Sequence, residues 1–381
     1  MRGIKVLDLS WLLPGPYATM LMADLGADVI KIEQPGRGDY EREINPEMFR
    51  VANRNKRSMT LNLKHPAGRE ILYRLVQDAD VLVEGFRPGV MKRLEADYDT
   101  LAWINPRLIY CSLSGYGQDG PYRDWPGHDT NYAGLAGALA IAGDLKYPPV
   151  RPGLPIGDLT SGTFACLAVL DALCERHATG RGQYLDCSIT ECVASWSQMR
   201  MADVLWNNEP PHYAPNATSR VYSARDGQRL SLAVTAEDHF WRKLCQALER
   251  DDLLTDPRFE TARNRAANGP ALLPILEAEF AKRDRDEWLT LLREFDVPAA
   301  PVHELEDVVR DPHFEHRGLF WKRTDATGQE RRVIRFPVKF SETQPSWRLM
   351  PPELGEHTAA VLTAAGFTPE QIAMWRAEGT L

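Results

Sequence analysis

Two side chains able to carry protons stand out in this chain of 381 residues. His128 lies in the run GHDTNY (residues 127–132), and Asp158 lies in the run PIGDL (residues 155–159). Imidazole and carboxyl groups are the side chains most often used as general acid and general base. Placed on opposite faces of a carbon acid, such a pair could remove a proton from one face and add a proton to the other. This would invert the configuration at that carbon. The two residues therefore predict proton transfer next to a carbonyl group.

Each residue also has a purely structural interpretation. An Asp at a strand-to-helix junction is a common N-cap, and a His that follows a Pro-Gly turn is often structural. Three neighbouring features favour catalysis instead. Gly157 allows close backbone approach, and the N-terminus of the predicted helix would stabilise an enolate oxygen. Asp129 is an acid that could orient the imidazole of His128.

Composition and charge restrict the class of protein. With 44% hydrophobic and 26% charged residues, the chain is typical of a globular protein with two domains of roughly 100–250 residues each. The net charge is −8 and the 45 basic residues are spread along the chain, so we expect no nucleic-acid partner. No uninterrupted apolar run reaches the ~20 residues of a membrane span, and the first residues read as a strand rather than a signal peptide. We expect a cytoplasmic protein without a membrane partner.

The cysteines and histidines predict neither a metal site nor disulfides. The six cysteines lie in apolar helix and strand patterns without a Cys-x-x-Cys pair, as is typical of small buried side chains. The nine histidines lack the His-x-x-x-His and His-Glu-x-x-His spacings of common metal sites. We therefore expect no bound metal.

Strand and helix patterns alternate through the first half of the chain. Such βαβ units predict an α/β fold with a parallel sheet and helices on its faces. Glu33 ends the second predicted strand, where a dinucleotide-binding fold contacts ribose, but residues 13–18 (LPGPYA) lack the three-glycine fingerprint of that fold. The predicted strands are 4–9, 28–33, 58–63, 81–84, 108–113 and 184–187, and the predicted helices are 17–25, 66–78 and 159–176.

The same periodicity divides the chain into domains. Residues 1–206 predict the first part of a large α/β domain, and residues 207–220, where the periodicity stops, predict a linker. Residues 221–330 predict a smaller α+β domain that begins with a hairpin. Residues 331–381, in which we expect a strand and a helix beyond Arg335, return to the large domain.

Basic residues cluster beside the predicted strand ends, where open α/β sheets bind ligands. Charge runs are usually solvated faces, but these positions also suit a polyphosphate such as the nucleotide part of coenzyme A. The candidates for the CoA phosphates are Lys56, Arg57, Lys64, Arg87 and Arg93.

Six runs of sequence together indicate a family. They are LPGPYA (13–18), ADLGADVIKIE (23–33), NKRS (55–58), EGFRPG (84–89), NPRLIY (105–110) and TGRGQ (179–183). With them, nearly the whole chain resembles the family III CoA-transferases, the CaiB/BaiF-type group that includes formyl-CoA transferase, carnitine CoA-transferase and α-methylacyl-CoA racemase.

The resemblance implies a fold and an assembly. The large domain would be Rossmann-like and built from both chain ends, with the smaller α+β domain between them. Two ring-shaped chains would form an interlocked homodimer, with the active site between the large domain of one chain and the small domain of the other. The substrate would be an acyl-CoA, with no cofactor beyond the coenzyme A of that substrate.

The resemblance also implies residue roles. Asp158 falls on the position that transferases use as a nucleophile and racemases use as one of two bases. His128 is similar to the opposing base of the racemases, where transferases commonly carry a tyrosine, and Glu237 matches a racemase active-site glutamate. Leu13 and Ala133 occupy places where transferases often have glutamine.

These matches make epimerisation at the α-carbon of a 2-methylacyl-CoA the leading expectation, with His128 and Asp158 on opposite faces of that carbon. Residues 159–162 (LTSG) and 256–259 (DPRF) look instead like those of a transferase. The alternative is therefore a CoA transferase that moves CoA between carboxylic acids, with Asp158 as the nucleophile. A CoA-binding protein without catalysis is the third hypothesis.

Overall fold

The computed structural model describes residues 1–141, 151–210 and 217–381. The chain forms two compact units. The first unit contains Met1–Ala202 and Leu319–Leu381, and the second contains Asp203–Gly318. The first unit is thus built from both ends of the chain.

A six-stranded sheet forms the centre of the first unit. Its strands are β1 (Lys5–Asp8), β2 (Asp28–Glu33), β3 (Lys56–Thr60), β4 (Val81–Glu84), β5 (Ile109–Ser114) and β6 (Tyr184–Ser188). They lie in the order β3-β2-β1-β4-β5-β6, and every neighbouring pair is parallel. This is the order of a doubly wound sheet, so the predicted α/β, Rossmann-like fold is confirmed.

Alternate side chains of these strands enter cores on the two faces of the sheet. Leu7, Ile30 and Leu82 belong to one buried cluster, whereas Val6 and Val81 belong to the other. Because both faces are covered, the strands are mostly apolar in sequence.

Ten helices precede the boundary between the units in the described ranges 1–141 and 151–202. They are α1 (Pro14–Asp24), α2 (Glu41–Ile44), α3 (Pro46–Ala52), α4 (Pro66–Gln77), α5 (Val90–Arg93), α6 (Tyr98–Ile104), α7 (Asp129–Leu135), α8 (Ala138–Ile141), α9 (Ile156–Thr179) and α10 (Ile189–Ser197). A 3₁₀ turn (Gln198–Arg200) and α11 (Ala202–Asn207), which covers the boundary, follow.

The long helix α9 packs closely against α1. A Cβ atom on Gly162 would lie 2.7 Å from the carbonyl oxygen of Pro14 and 2.9 Å from the ring of Tyr17, so only glycine fits at this contact. By length and composition alone, α9 is the one helix of the described residues that could cross a membrane. Core helices pass the same test, and Ala165 and Val169 of α9 pack into the core on one face of the sheet.

The second unit is a smaller α+β structure. Its antiparallel sheet has the order β7-β8-β9, with Gly227 at φ +77° in the turn between β7 and β8, as the Asp-Gly sequence predicts. Trp241 and Trp288 are buried in its core. The strands are β7 (Ser219–Ser223), β8 (Arg229–Ala233) and β9 (Ala299–Pro301), and the helices are α12 (Asp238–Leu248), α13 (Asp252–Thr255), α14 (Ala262–Ala267), α15 (Gly269–Phe280), α16 (Arg285–Glu294), α17 (Leu305–Arg310) and α18 (Pro312–His316).

The C-terminal segment returns to the first unit earlier than expected. It contains the hairpin β10 (Phe320–Thr324) and β11 (Glu330–Ile334), then α19 (Thr358–Ala364) and α20 (Pro369–Ala377). The guanidinium of Arg54 donates to the carbonyl of Ile334 at 3.2 Å and lies 5.9 Å from the ring centre of Trp321. These contacts attach the hairpin to the first unit, so the second unit ends at Gly318 and not at the predicted residue 330.

Two further sequence predictions need correction. Residues 335–381 are all described and contain two helices but no strand, because the extended residues pair earlier, within the hairpin. The predicted linker at 207–220 includes residues 211–216, which lie outside the described residues. At its described ends, α11 continues to Asn207 and β7 already begins at Ser219.

Candidate functional site

A crevice of about 350 Å³ opens at the carboxyl ends of β1 to β4. Residues at the strand ends line it: Leu9 follows β1, Glu33 ends β2, Leu61 follows β3 and Phe86 follows β4. The chain connections leave β1 and β4 in opposite directions along the sheet. The crevice therefore lies at the topological switch point, where open α/β sheets bind ligands.

Three aromatic rings form one wall of this crevice. Trp11 packs edge-on against Tyr40 and Phe86, with ring-centre distances of 4.8 and 5.2 Å. Aromatic walls with a few polar groups are typical of sites for nucleotide-sized ligands. Trp11 and Phe86 each lie two residues after a predicted strand, which is a sequence signal for such a wall, whereas Tyr40 has no such signal.

Three of the predicted phosphate-binding residues lie at this edge of the sheet. Lys64 and Arg93 line the crevice, and Arg87 follows Phe86 in the turn after β4. All three side chains are exposed, and none forms an ion pair within the described part of the chain. They are therefore available to an anionic ligand.

Lys56 lies away from the crevice. It is fully buried, and its Nζ donates to Asp8 Oδ2 at 3.0 Å, to Asn53 Oδ1 at 2.8 Å and to the carbonyl of Pro16 at 2.9 Å. An ammonium group has three donors, so none remains for a phosphate. The structure thus gives Lys56 a structural role in place of the predicted contact with CoA.

Arg57 also points away from the crevice. Its guanidinium pairs with Asp28 at 2.6 Å. Asp28 begins β2, so this ion pair lies at the amino ends of the strands, whereas the crevice lies at their carboxyl ends. Successive residues of a strand point to opposite faces, which separates Arg57 from Lys56. Basic residues that are adjacent in the sequence therefore do not form a single basic cluster in the structure.

Buried charges hold the loop that carries Trp11. Lys31 is fully buried and pairs with Asp39 Oδ2 at 2.9 Å. Asp39 Oδ1 in turn accepts the N–H of Leu12 at 2.9 Å. Leu12 has φ +63°, a conformation that non-glycine residues rarely adopt. The ion pair therefore stabilises a strained loop at the crevice.

Glu84 holds the turn after β4. Its Oε2 accepts the N–H of Phe86 at 2.8 Å, and its Oε1 accepts the hydroxyl of Ser112. Burial raises the pKa of Glu84 to about 7. These bonds fix Phe86 and the adjacent Arg87 at the crevice, a role that the sequence did not reveal.

Asp158 lies in the first turn of α9 and is half-buried. The N-cap of α9 is Pro155, so the interpretation of Asp158 as an N-cap was wrong. Within the described part of the chain, no residue donates a hydrogen bond to its carboxyl group. Burial raises the pKa of Asp158 to about 7, assisted by the charges of Asp129 and Glu41. At neutral pH the group is therefore divided between acid and carboxylate.

Asp129 connects the N-termini of α7 and α9. Its buried Oδ1 accepts the N–H of Gly157 at 2.7 Å and that of Asp158 at 3.4 Å. Asp129 therefore caps α9 from another helix, in place of its predicted role in orienting the imidazole of His128. His128 is the exposed N-cap of α7, and its N–H donates to Asn131 Oδ1 at 3.0 Å.

The first N–H groups of α9 are already engaged. Asp129 accepts from Gly157 and Asp158, and the N–H of Leu159 donates to the carbonyl of Pro155 at 3.1 Å. The sequence predicted that this helix end would hold an enolate oxygen. These three donors have other partners, so they do not support that prediction.

Glu41 is a second buried carboxyl group whose charge acts on Asp158. It is only 6% exposed, and its Oε2 has no hydrogen-bond partner among the described residues. Burial, and then the charge of Asp39, raises the pKa of Glu41. No sequence signal distinguishes Glu41 from the exposed Glu43 in the same short helix, because only the fold decides which of them is buried.

Glu237 lies in the second unit, at the N-cap of α12. It is exposed and accepts the hydroxyl of Thr235 at 2.7 Å, which lowers the pKa of Glu237. Its assignment to the active site stays a prediction. Leu13 and Ala133 are both buried, at the start of α1 and within α7.

Comparison with known proteins shows similarity along the whole chain. The family model of CoA-transferase family III matches residues 1–358. A succinyl-CoA:glutarate CoA-transferase of Mus musculus is 33% identical over 374 residues, which cover 95% of this chain and 85% of the relative. An acetyl-CoA:oxalate CoA-transferase of Acetobacter aceti is 36% identical over 335 residues, which cover 84% of this chain and 85% of the relative. The crystal structure of a CaiB/BaiF family protein from Brucella suis matches with a TM-score of 0.85 and 33% identity, over 96% of this chain and 98% of that one.

Proposed function

Because the chain belongs to CoA-transferase family III, we propose that it moves CoA from an acyl-CoA thioester to a free carboxylic acid, with Asp158 as the nucleophile. The proposal rests on the half-buried carboxyl group of Asp158, which accepts no hydrogen bond within the described part of the chain and, with a pKa of about 7, is partly a carboxylate at neutral pH. The names of the similar proteins support it, since both curated relatives are CoA-transferases.

In the first step, a carboxylate oxygen of Asp158 attacks the thioester carbonyl. The carbon–sulfur bond breaks and leaves a mixed anhydride and the CoA thiolate. The thiolate then attacks the aspartyl carbonyl, which releases the donor acid and leaves CoA as a thioester on Asp158. An acceptor carboxylate displaces CoA by forming a second anhydride, and the thiolate takes the new acyl group and frees Asp158.

This sequence requires CoA to stay bound while its sulfur leaves and returns. Lys64 and Arg93 at the crevice, with Arg87 beside them, would hold the phosphates, and the aromatic wall would contact the base. The thiolate would then remain at a high effective concentration near the anhydride.

The rate of acylation is expected to fall as the pH is lowered through about 7, because protonated Asp158 is a poor nucleophile. In a Glu41→Gln variant the acid limb of the pH–rate profile should move to lower pH, because the loss of a nearby negative charge lowers the pKa of Asp158. The measurement is kcat/KM for the acyl-CoA between pH 5 and 9. Glu43→Gln, which changes an exposed carboxyl group of the same helix, should leave the limb in place. An unmoved limb in Glu41→Gln contradicts the coupling.

Removal of Lys64 or Arg93 should weaken CoA binding and leave the chemistry intact. Each Ala variant is expected to raise KM for the acyl-CoA by roughly 5–20-fold with kcat nearly unchanged, since a charge-assisted contact is worth about 1–2 kcal/mol at an exposed site. Lys92→Ala is the matched control, because Lys92 is exposed beside Arg93 but does not line the crevice. Equal effects in Lys92→Ala and Arg93→Ala would contradict the assignment.

Racemisation is the second candidate function. One observation favours it: the hydrogen bond from Gly157 to Asp129 brings the helix ends that bear Asp158 and His128 together. The occupied N–H groups at the start of α9 weigh against it, because an enolate oxygen would need other donors.

One pair of reactions separates the two functions. Transferase activity predicts a new CoA thioester when the enzyme receives succinyl-CoA with glutarate or oxalate, and a hydroxamate when hydroxylamine replaces the acceptor. Racemase activity predicts deuterium at the α-carbon of a 2-methylacyl-CoA in D₂O without any acceptor. Deuterium exchange without transfer to any carboxylic acid would overturn our proposal.

We also propose that the protein works as an interlocked homodimer, as the family resemblance implies. The first unit contains both chain ends and the second lies between them in sequence, which is the order that the family resemblance implies. Light scattering should give twice the chain mass, and a monomer with full activity would contradict the proposal.

A further inference from the structure

Two cysteines of the first unit lie side by side near Asp158. The sulfur atoms of Cys187, in β6, and Cys192, in α10, are 3.7 Å apart, and both side chains are half-buried. A disulfide has a sulfur–sulfur distance of about 2.05 Å, so the two sulfurs would have to approach each other by roughly 1.6 Å to bond. The proposed transfer reaction uses neither thiol.

The two sulfurs differ in character. Their mutual hydrogen bond lowers the pKa of Cys192 and, with burial, raises the pKa of Cys187. Cys192 therefore loses its proton more readily than Cys187, which is a neutral thiol in contact with it. A partly accessible thiol with a lowered pKa and a second thiol in contact with it is the arrangement that oxidation converts to a disulfide.

We propose that Cys187 and Cys192 form a site of reversible oxidation that a hydroperoxide converts to a disulfide. The Cys192 thiolate attacks the peroxide oxygen, the oxygen–oxygen bond breaks, and the alkoxide or hydroxide that leaves takes up a proton. Cys187 then attacks the resulting sulfenic sulfur, and hydroxide leaves with the Cys187 proton as water. The two thiols lose two electrons and the peroxide gains them.

The pair is connected to the turn that holds Asp158. The thiol of Cys187 lies 3.8 Å from the carbonyl oxygen of Ser161, and the hydroxyl of Ser161 donates to the carbonyls of Gly157 at 2.8 Å and Asp158 at 3.2 Å. Ile189, between the two cysteines, also packs against Gly157, where an added Cβ would lie 3.2 Å from its side chain.

Disulfide formation would therefore act on the catalytic turn. It draws Cys192 of α10 towards Cys187 of β6, whose sulfur lies 3.8 Å from the carbonyl oxygen of Ser161 in the first turns of α9. We infer that oxidation lowers transferase activity. This second part of the inference rests on the proposed function, whereas the oxidation site itself does not.

Peptide mapping tests the site without any activity assay. Trypsin should release Gly182–Arg200 as one peptide that holds both cysteines and no other. After treatment of the native protein with hydrogen peroxide, this peptide should lack two hydrogens and take up no alkylating reagent, and a thiol reductant should reverse both changes. Cys174→Ser, which removes an exposed cysteine, should behave like the wild type, whereas Cys192→Ser should form no disulfide. Two alkylated cysteines in the peroxide-treated peptide would overturn the site.

An activity assay of the same samples tests the consequence. Oxidised wild-type enzyme should lose transfer activity by about tenfold or more, because a displacement of ~1 Å at a catalytic group can cost about 10²-fold. Reductant should restore the activity, and Cys192→Ser should keep it under peroxide. A mapped disulfide with full activity would overturn the regulatory part alone. Failure of the proposed function would show differently, as absence of transfer in the reduced enzyme.

Discussion

Replacement of Asp158 by Asn is expected to lower the rate of CoA transfer by at least about 10³-fold, because the amide keeps the shape of the side chain and removes the nucleophile. The backbone N–H of residue 158 would still donate to Asp129, so α9 should remain capped. The measurement is kcat with succinyl-CoA and a dicarboxylic acceptor, together with mass spectrometry of the protein after hydroxylamine treatment. The wild type should carry a hydroxamate on the peptide that contains Asp158, and the variant should carry none.

A matched variant separates loss of the nucleophile from a general loss of negative charge. Glu191 also lies in the first turn of a helix, α10, and is exposed. Glu191→Gln should retain activity within about twofold, as is usual for a surface substitution away from the chemistry. Substantial transfer by Asp158→Asn, with an unchanged circular dichroism spectrum, would exclude Asp158 as the nucleophile.

Replacement of Lys56 by Met is expected to destabilise the protein by about 3–5 kcal/mol, because it leaves the carboxylate of Asp8 buried without the ammonium group that pairs with it at 3.0 Å. Burial alone would raise the pKa of Asp8, but the ammonium groups of Lys56 and Lys31 lower it well below its usual range. Burial lowers the pKa of Lys56 to about 8, which still leaves the ammonium protonated at pH 7. The measurement is the free energy of unfolding in urea at pH 7.

The neighbouring residue provides the control for Lys56. Arg57 forms a partly exposed ion pair with Asp28, so Arg57→Met should cost less than about 1 kcal/mol. The double variant Asp8→Asn, Lys56→Met should be less destabilised than the sum of its single variants, because the two side chains interact directly. If Lys56→Met were as stable as the wild type but had a raised KM, Lys56 would contact CoA after all.

The strands of the large sheet could be predicted from the sequence because burial on both faces leaves a local apolar signal. The second strand was predicted at residues 28–33, as observed, and the bounds of its neighbours β1 and β3 were predicted within three residues. The start of α9 was placed too late, after Asp158 and not before it. Its cap is supplied by Asp129 from another helix, and no local pattern records such a contact.

The roles of the basic residues depended on geometry in the same way. The sequence does not distinguish four basic residues that lie beside predicted strand ends: Lys56, Arg57, Lys64 and Arg93. The fold buries the first, pairs the second at the opposite edge of the sheet, and leaves the last two at the crevice. Which side of a strand a residue faces, and which edge it reaches, follows from the pairing of distant segments.

The sequence by itself determined the α/β architecture and the family, because apolar periodicity and family motifs are written in neighbouring residues. It also singled out Asp158. Only the tertiary structure decided the chemical state of that residue, since burial and the charges of Asp129 and Glu41 raise its pKa. Electrostatic energy depends on distance in space, and contacts between segments far apart in the chain set that distance.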